Sequence, residues 1–195
     1  DIRASEKRFY QKVRDLFALS SDYQAREQET HLFFAEVQNK LLYATTQHTA
    51  AELILERANP DAPNMALTSW KGARVRKADV IVAKNYLDSD EIDTLNRLVV
   101  IFLEQAELRV KQQKDLTLDY WRNNVDKMLA FNDRPVLEGA GSISRNQMEK
   151  VAYQRFEDFD QKRRIDEAAE ADAADLQEIE QLEKAIKNKG NEVDQ

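Results

Sequence analysis

Apolar side chains recur every three or four positions along most of the chain, a spacing that predicts amphipathic helices. The first series predicts a helix over about residues 2–18. We therefore expect an all-α fold, a bundle of six or seven helices that ends in a long projecting helix. The inner positions that we predict for four later helices are Leu32, Phe33, Val37, Leu41 and Ala44, then Ile92, Leu95, Val99, Phe102, Leu103, Ala106 and Val110, then Leu118, Trp121, Val125 and Leu129, then Met148, Val151, Ala152, Phe156 and Phe159.

Helix starts are marked by side chains that can cap the free backbone N–H groups of a first turn. Thr117 is predicted to cap one helix, and Asp22 or Thr30 is a candidate cap for the second. In a capping box the cap side chain and a Glu or Gln three residues later each accept a backbone N–H. Three segments have this pattern: Thr49–Glu52, Asp88–Glu91 and Ser144–Gln147.

The connection over residues 59–73 is the longest loop that we predict. It contains two of the three prolines, together with Asn64 and Gly72. Loops of this length within compact domains are often functional. The next stretch, residues 75–86, has strand-favouring valines but also a helical spacing of apolar residues. We predict a helix there, because no partner strand is evident elsewhere in the chain.

The chain changes character after Phe159, where apolar residues become sparse among Glu, Ala, Asp and Lys. We predict a helical core over residues 1–160 and an acidic helical extension over residues 161–195. The extension is either a short coiled-coil arm or a solvated, fraying helix, since its repeat is too brief to identify heptads. Its apolar residues are Ile165, Leu176, Ile179, Leu182 and Ile186.

The net charge of −7 comes from 29 basic and 36 acidic side chains. Residues 157–195 contain 13 acidic and 6 basic residues, so this segment accounts for the whole imbalance and residues 1–156 are neutral. The body of the chain therefore lacks the global basic field that drives non-specific binding of nucleic acid. Whatever binds nucleic acid here must be a local patch.

Several classes of protein are excluded by composition. The absence of cysteine excludes disulfides, a thiol nucleophile and a cysteine zinc site, and is compatible with the cytoplasmic localisation that we expect. The longest strongly apolar run, residues 98–103, is far shorter than the roughly 20 residues of a membrane helix, so we expect no membrane partner. The first six residues include three charged side chains and no Met, which excludes a signal peptide. Because the chain starts within a helix-like pattern, we expect a piece of a longer protein.

Several unusual strings occur in an order that identifies a family. The most specific are His48-Thr49-Ala50-Ala51-Glu52-Leu53-Ile54 and Pro63-Asn64-Met65-x-Leu67-Thr68-x-Trp70-Lys71-Gly72. Over about residues 1–160 the chain resembles the virulence-associated RhuM family of bacterial proteins. Other matching stretches are Asp1–Glu6 with Arg8-Phe9-Tyr10, Phe33-Phe34 with Val37–Lys40, Lys77-x-Asp79-Val80 with Ala83–Leu87, and Leu95-Asn96-Arg97.

The resemblance implies a role but no mechanism. Proteins of this family usually carry an N-terminal module that looks like a DNA-binding or phage-antirepressor domain, so this chain is expected to be the C-terminal domain. The family is linked to pathogenicity islands and other mobile elements. Our first functional hypothesis is an interaction or oligomerisation domain that works with such a DNA-binding module. It would associate with a partner or a second copy through exposed apolar positions of the first and last helices.

His48 and Glu52 are the first candidates for chemistry, because residues four apart on a helix share a face. Such a pair can ligate a metal or act as acid and base. Sequence places no third ligand beside them, so the metal and any cofactor stay unknown. The structural alternative is that His48 packs at the helix entry while Glu52 completes the capping box.

The segment from Lys71 to Lys77 is the one dense basic patch in the neutral body of the chain, with four basic residues in seven. Lys and Arg neutralise phosphates, and a neighbouring aromatic ring can stack on a base. The alternative is a solvated loop whose charges pair with nearby carboxylates. The candidate phosphate-binding or nucleic-acid-binding residues are Trp70, Lys71, Arg74, Arg76, Lys77, Lys84 and Asn85.

A second functional hypothesis follows from these residues, namely an enzyme or toxin domain acting on nucleic acid or a nucleotide around residues 48–85. Phosphodiester hydrolysis uses carboxylates to hold metal and Lys to stabilise developing charge. The candidate catalytic residues are His48, Glu52, Lys71 and Asp79. This hypothesis requires all four to converge on one open cleft, whereas an interaction domain allows them to be dispersed or paired with each other.

Overall fold

The computed structural model describes residues 11–12, 15, 27–112 and 117–193. Within these residues the protein is all-helical and has no strand, which confirms the predicted class. Five α-helices are present there, fewer than the six or seven predicted. The predicted helix over residues 2–18 and the candidate cap Asp22 lie largely outside the described residues. The helices are α1 (Glu27–Thr46), α2 (Ala50–Arg57), α3 (Ser89–Lys111), α4 (Leu118–Phe131) and α5 (Arg145–Val193).

Residues 75–86 are the clearest correction, because they do not form the predicted α-helix. Turns lead into a short 3₁₀ segment, Ala83–Tyr86. The Asp79 carboxylate accepts the backbone N–H of Arg76 at 3.0 Å and closes a turn. The Tyr86 hydroxyl donates to the Val80 carbonyl at 2.9 Å, and Val80 is fully buried. Long-range burial and these side-chain contacts override the helical spacing.

Helix α1 corrects two smaller predictions. It begins at Glu27, so Thr30 lies inside the helix and is not its N-cap. The buried stripe consists of Phe33, Val37, Leu41 and Ala44, as predicted, but Leu32 is 69% exposed. One residue advances a helix by about 100°, which turns Leu32 away from the stripe that starts at Phe33.

Apart from the candidate cap Thr30, the predicted helix starts are confirmed wherever the structure describes their contacts. Both halves of the capping box are formed at Thr49 with Glu52 and at Asp88 with Glu91. Thr117 caps α4 by accepting the N–H of Tyr120 at 3.1 Å. At the start of α5, the Ser144 hydroxyl accepts the N–H of Gln147 at 3.3 Å.

The buried residues form two hydrophobic clusters. The first joins α1, α3 and α4, and Phe102 and Trp121 lie at its centre, both fully buried. The second joins α2, the connection between α2 and α3, and the start of α5; its members include Leu53, Met65 and Ala152. Leu95 packs against both clusters.

Burial falls steeply along α5. Near its start Met148 and Ala152 are buried, and Phe156 and Phe159 still pack against the second cluster. Every residue from 164 to 182 is exposed, and we call this stretch the arm. At about 1.5 Å per residue the arm is about 28 Å long. None of the described helices has the length and apolar character needed to span a membrane.

Candidate functional site

Glu52 is held in a structural role at the start of α2. One carboxylate oxygen accepts the N–H of Thr49 at 2.8 Å and completes the capping box. The other accepts both the N–H of Ser142, at 2.7 Å, and the Ser142 hydroxyl, at 2.6 Å. These bonds from Ser142 and Thr49 lower the pKa of Glu52 from 4.5 to about 2. A carboxylate with so low a pKa is a poor general base near neutral pH.

The loop that Glu52 binds approaches α2 very closely. Gly141 has a φ of +85°, and a Cβ placed on it would lie 2.6 Å from Cγ2 of Thr49. Only glycine combines this backbone conformation with this contact at no steric cost. Ser142 and Gly141 together attach the entry of α5 to the first turn of α2. Sequence reasoning missed both residues, since they are about 90 positions away from their partners.

His48 faces Glu56 rather than Glu52. Its Nε2 lies 3.1 Å from a carboxylate oxygen of Glu56, and its Nδ1 lies 2.7 Å from the carbonyl oxygen of Thr46. Both ring nitrogens are therefore engaged within the same corner of the fold. No cluster of three or more metal-binding side chains occurs in the part of the chain that the structure describes.

Asn85 and Asp79 hold the connection between α2 and α3 together. Asn85 is buried, and its amide group donates to the Asp79 carbonyl at 2.9 Å. The backbone carbonyl of Asn85 accepts hydrogen bonds from the backbone N–H and the hydroxyl of Thr68, at 2.7 and 3.0 Å. The Asp79 carboxylate closes the turn at Arg76. These contacts give both side chains a structural function.

The basic segment divides into bound and solvent-facing cations. Lys77 pairs with Glu157 at 3.1 Å, and its ammonium lies 4.8 Å from the centre of the Tyr153 ring. Lys71, Arg74 and Arg76 are exposed, and their side-chain cations form no ion pair with another described residue. We call these three residues the basic loop. Trp70 beside them is half-buried against the second cluster.

A cleft of about 590 Å³ lies between α1, α2 and the entry of α5. Its walls are mainly apolar, and its cationic residues are Lys84 and Arg145. Lys84 is the only one of the predicted site residues that lines it. His48, Glu52, Lys71 and Asp79 do not line this cleft, and the contacts described above engage three of them elsewhere. Their catalytic role stays a prediction.

The arm presents an apolar stripe to solvent. Ile165, Leu176, Ile179 and Leu182 are 61%, 64%, 53% and 57% exposed, although each has a side chain of the kind that fills cores. With about 100° per residue, the four side chains fall within about 120° of the helix circumference. These apolar positions are among those expected from the sequence, and no part of the described core covers them.

Comparison with known proteins identifies the family of the chain. A family model described as the virulence protein RhuM family matches residues 1–167. The match covers the five helices up to the beginning of the arm. Neither the curated proteins nor the solved structures contain a match to this chain. The chain belongs to the virulence protein RhuM family.

Proposed function

We propose that this chain is a helical interaction module, in which the core holds the arm out as a docking surface for another protein. The observation that carries this proposal is the exposure of Ile165, Leu176, Ile179 and Leu182 on one side of a helix that has left the core. Exposed apolar residues that are grouped together mark sites of protein interaction more often than scattered ones do, and Leu176, Ile179 and Leu182 follow one another at about one helical turn. Amphipathic helices commonly bind through such a stripe.

The free energy gained by burying the stripe can be compared with the free-energy cost of association. Because the four side chains are only 53–64% exposed, their full burial provides about 3 to 7 kcal/mol. Association costs about 4 to 15 kcal/mol in lost freedom of movement. The apolar contacts therefore only balance the cost, and contacts of the charged side chains around the stripe decide whether binding occurs. The proposed surface thus includes both the stripe and its flanking charges.

The family suggests that the interaction module works together with a DNA-binding module. The resemblance implies longer proteins in which a DNA-binding module precedes this region. In that arrangement the core spaces the arm away from the DNA-binding module, and the arm brings a second protein to the same place. As part of the same proposal, the protein is bacterial, is associated with a mobile element and works in the cytoplasm.

A photo-crosslinking experiment tests the docking surface. A photoreactive amino acid replaces Ile179 in the stripe or, as the control, Gln177 on the opposite side of the arm, and the full chain is expressed in the cells that normally make it. We expect a discrete crosslinked adduct from position 179 and none from position 177. Addition of Leu176→Asp and Leu182→Asp should abolish the adduct. Equal adducts from both positions would contradict the proposal.

The basic loop supports a second candidate function, contact with phosphate groups of a nucleic acid. Lys71, Arg74 and Arg76 are close in sequence, exposed and without ion pairs to other described residues. The carboxylates of Glu52 and Asp79 accept structural hydrogen bonds, which favours a structural role over a catalytic one. We therefore keep only the phosphate-binding part of the enzyme hypothesis and do not propose hydrolysis.

Fluorescence anisotropy with a labelled 20-base-pair duplex tests this candidate. The triple variant Lys71→Ala, Arg74→Ala and Arg76→Ala should weaken binding about tenfold or more and lower the dependence of log K on log salt by about two to three. The control variant Lys111→Ala, Lys127→Ala and Lys150→Ala removes the same charge from exposed positions elsewhere. Equal losses in both variants would indicate an effect of net charge alone.

A further inference from the structure

Beyond Ile165 the charge on the arm has a single sign. Residues 166–182 contain seven acidic side chains and no Lys, Arg or His. The basic residues just before this stretch are already occupied: Arg163 pairs with Asp160 and Glu167, Arg164 pairs with Asp160, and Lys162 pairs with Asp61. The negative charge of the arm is therefore largely uncompensated by the basic residues that precede it in the same helix.

Two of the carboxylates lie within the apolar stripe itself. On a helix that advances about 100° per residue, Asp172 and Asp175 fall in the same arc as Leu176 and Ile179. Both are exposed, and neither forms an ion pair with another described residue. Their neighbours three and four positions away are Ala, Leu, Ile and acidic residues, so the helix supplies no cation to them. Any molecule that covers the stripe must also meet these two charges.

A second copy of the arm is a poor partner for the charges of Asp172 and Asp175. In a parallel pair Asp172 faces Asp172 and Asp175 faces Asp175, so like charges are brought together. In an antiparallel pair centred on the stripe as a whole, Asp172 faces Asp175, and in one centred on position 177 they approach Leu182 and Ile179. A carboxylate that loses water against an apolar side chain gains no counter-charge. Both arrangements desolvate negative charge without compensation.

We infer that the arm docks a basic amphipathic helix, one with Leu or Ile on one face and Lys or Arg on both sides of that face. Such a partner covers the four apolar residues and places cations against Asp172 and Asp175. This inference rests on the proposed function, because it names the partner of the same surface. It also explains why the stripe is flanked by charge of one sign, since complementary charge selects the partner and its register.

Peptide binding to the full chain tests the inference. The probe is a fluorescein-labelled 18-residue peptide of Leu and Lys with the leucines at helical spacing, and its control has the same composition with Leu and Lys alternating. At 150 mM salt we expect the helical pattern to bind measurably more tightly than the alternating one. Ile179→Ser with Leu182→Ser should weaken binding about tenfold or more.

A matched pair of charge variants separates a defined contact from diffuse attraction. Asp172→Asn with Asp175→Asn removes two charges within the stripe, and Asp166→Asn with Glu170→Gln removes two charges from the opposite side of the arm. The first variant should weaken binding about threefold to tenfold, and the second less than twofold. Equal weakening by both variants would overturn the inference, because the peptide would then sense net charge alone.

Light scattering on the full chain distinguishes failure of the inference from failure of the proposed function. A dimer that is lost on Ile179→Asp with Leu182→Asp, and kept on Gln177→Asp with Gln181→Asp, would show that a second copy covers the stripe. That result overturns the basic partner and leaves an interaction module. If the chain neither self-associates nor distinguishes the two peptides, and position 179 gives no crosslink, both proposals are wrong.

Discussion

The two ends of α5 have the same secondary structure and opposite surroundings. In the proximal part, residues 145–159, Met148 and Ala152 are buried in the second cluster. Arg155 there donates from one guanidinium nitrogen to the carbonyls of Leu55 and Ala58, at 2.6 and 2.8 Å, at the end of α2. The arm has no comparable contact among the described residues, and all of its side chains are exposed.

This difference shows where the helicity of each part comes from. Most helices in proteins are stabilised by packing of an apolar face, as the proximal part is. The arm consists largely of Ala, Glu, Gln, Leu and Asp, without Gly or Pro, and most of these residues favour helix intrinsically. The apolar residues of the arm are thus not needed to bury a core. This agrees with the proposal that they contact another molecule.

The largest expected effect comes from placing a charge in the proximal part. Ala152 is fully buried, so Ala152→Asp should lower the free energy of unfolding by about 4 kcal/mol or more, because the carboxylate loses water and gains no partner. Ala171→Asp places the same group on the exposed arm and should cost less than about 1 kcal/mol. Urea denaturation followed by tryptophan fluorescence measures both. Similar losses in the two variants would mean that the arm is packed in solution.

A smaller effect is expected where the loop before α5 is attached to α2. Because the folded state lowers the pKa of Glu52 from 4.5 to about 2, Glu52 stabilises the fold above about pH 4.5. This stabilisation is lost as the pH falls from 4.5 through 2, because the folded-state carboxylate then becomes protonated too. Since the side chain is partly exposed and water screens its charge, we expect about 1 to 2 kcal/mol.

Urea midpoints at pH 7, 4.5, 3 and 2 provide the measurement. Glu52→Gln should be destabilised at pH 7 and should approach the parent protein at pH 2. Glu170→Gln, on the arm, should follow the parent protein throughout, since Glu170 forms no ion pair within the described chain. A loss for Glu52→Gln that stays constant with pH would show that the hydrogen-bond geometry matters and the charge does not.

The smallest effect is expected at the stripe. Ile179→Ser with Leu182→Ser should change the free energy of unfolding by less than about 0.5 kcal/mol, because both side chains are already exposed. Trp121, buried in the first cluster, reports the unfolding of the core in the same urea experiment. A large loss of stability would show that the stripe packs against its own chain, and the docking proposal would then lack its surface.

Much of the helical framework was predictable because its signals are local. The capping boxes at Thr49 and Asp88 depend on residues three positions apart, and both are formed. Periodicity located the buried face of α1 but misassigned Leu32, which lies one position from that face. Residues 75–86 were misassigned because Val80 and Tyr86 are directed by burial in the second cluster, which spacing alone does not reveal.

The candidate site was predictable in part for the same reason. The basic loop is contiguous in sequence, so its exposed cations could be named in advance. The supposed pair of His48 and Glu52 could not be judged, because their actual partners are Glu56 and Ser142. A hydrogen bond to a residue 90 positions away leaves no periodic trace in the sequence.

The sequence by itself determined the all-α class, the caps that start the helices, and an acidic helix with a sparse apolar stripe. Each of these depends on backbone geometry within a few residues, where periodicity and side-chain type are sufficient. Tertiary structure alone decided that Glu52 binds the entry of α5 and that Arg155 binds the end of α2. Those outcomes depend on which distant segments meet, and that is settled by the packing of the whole chain.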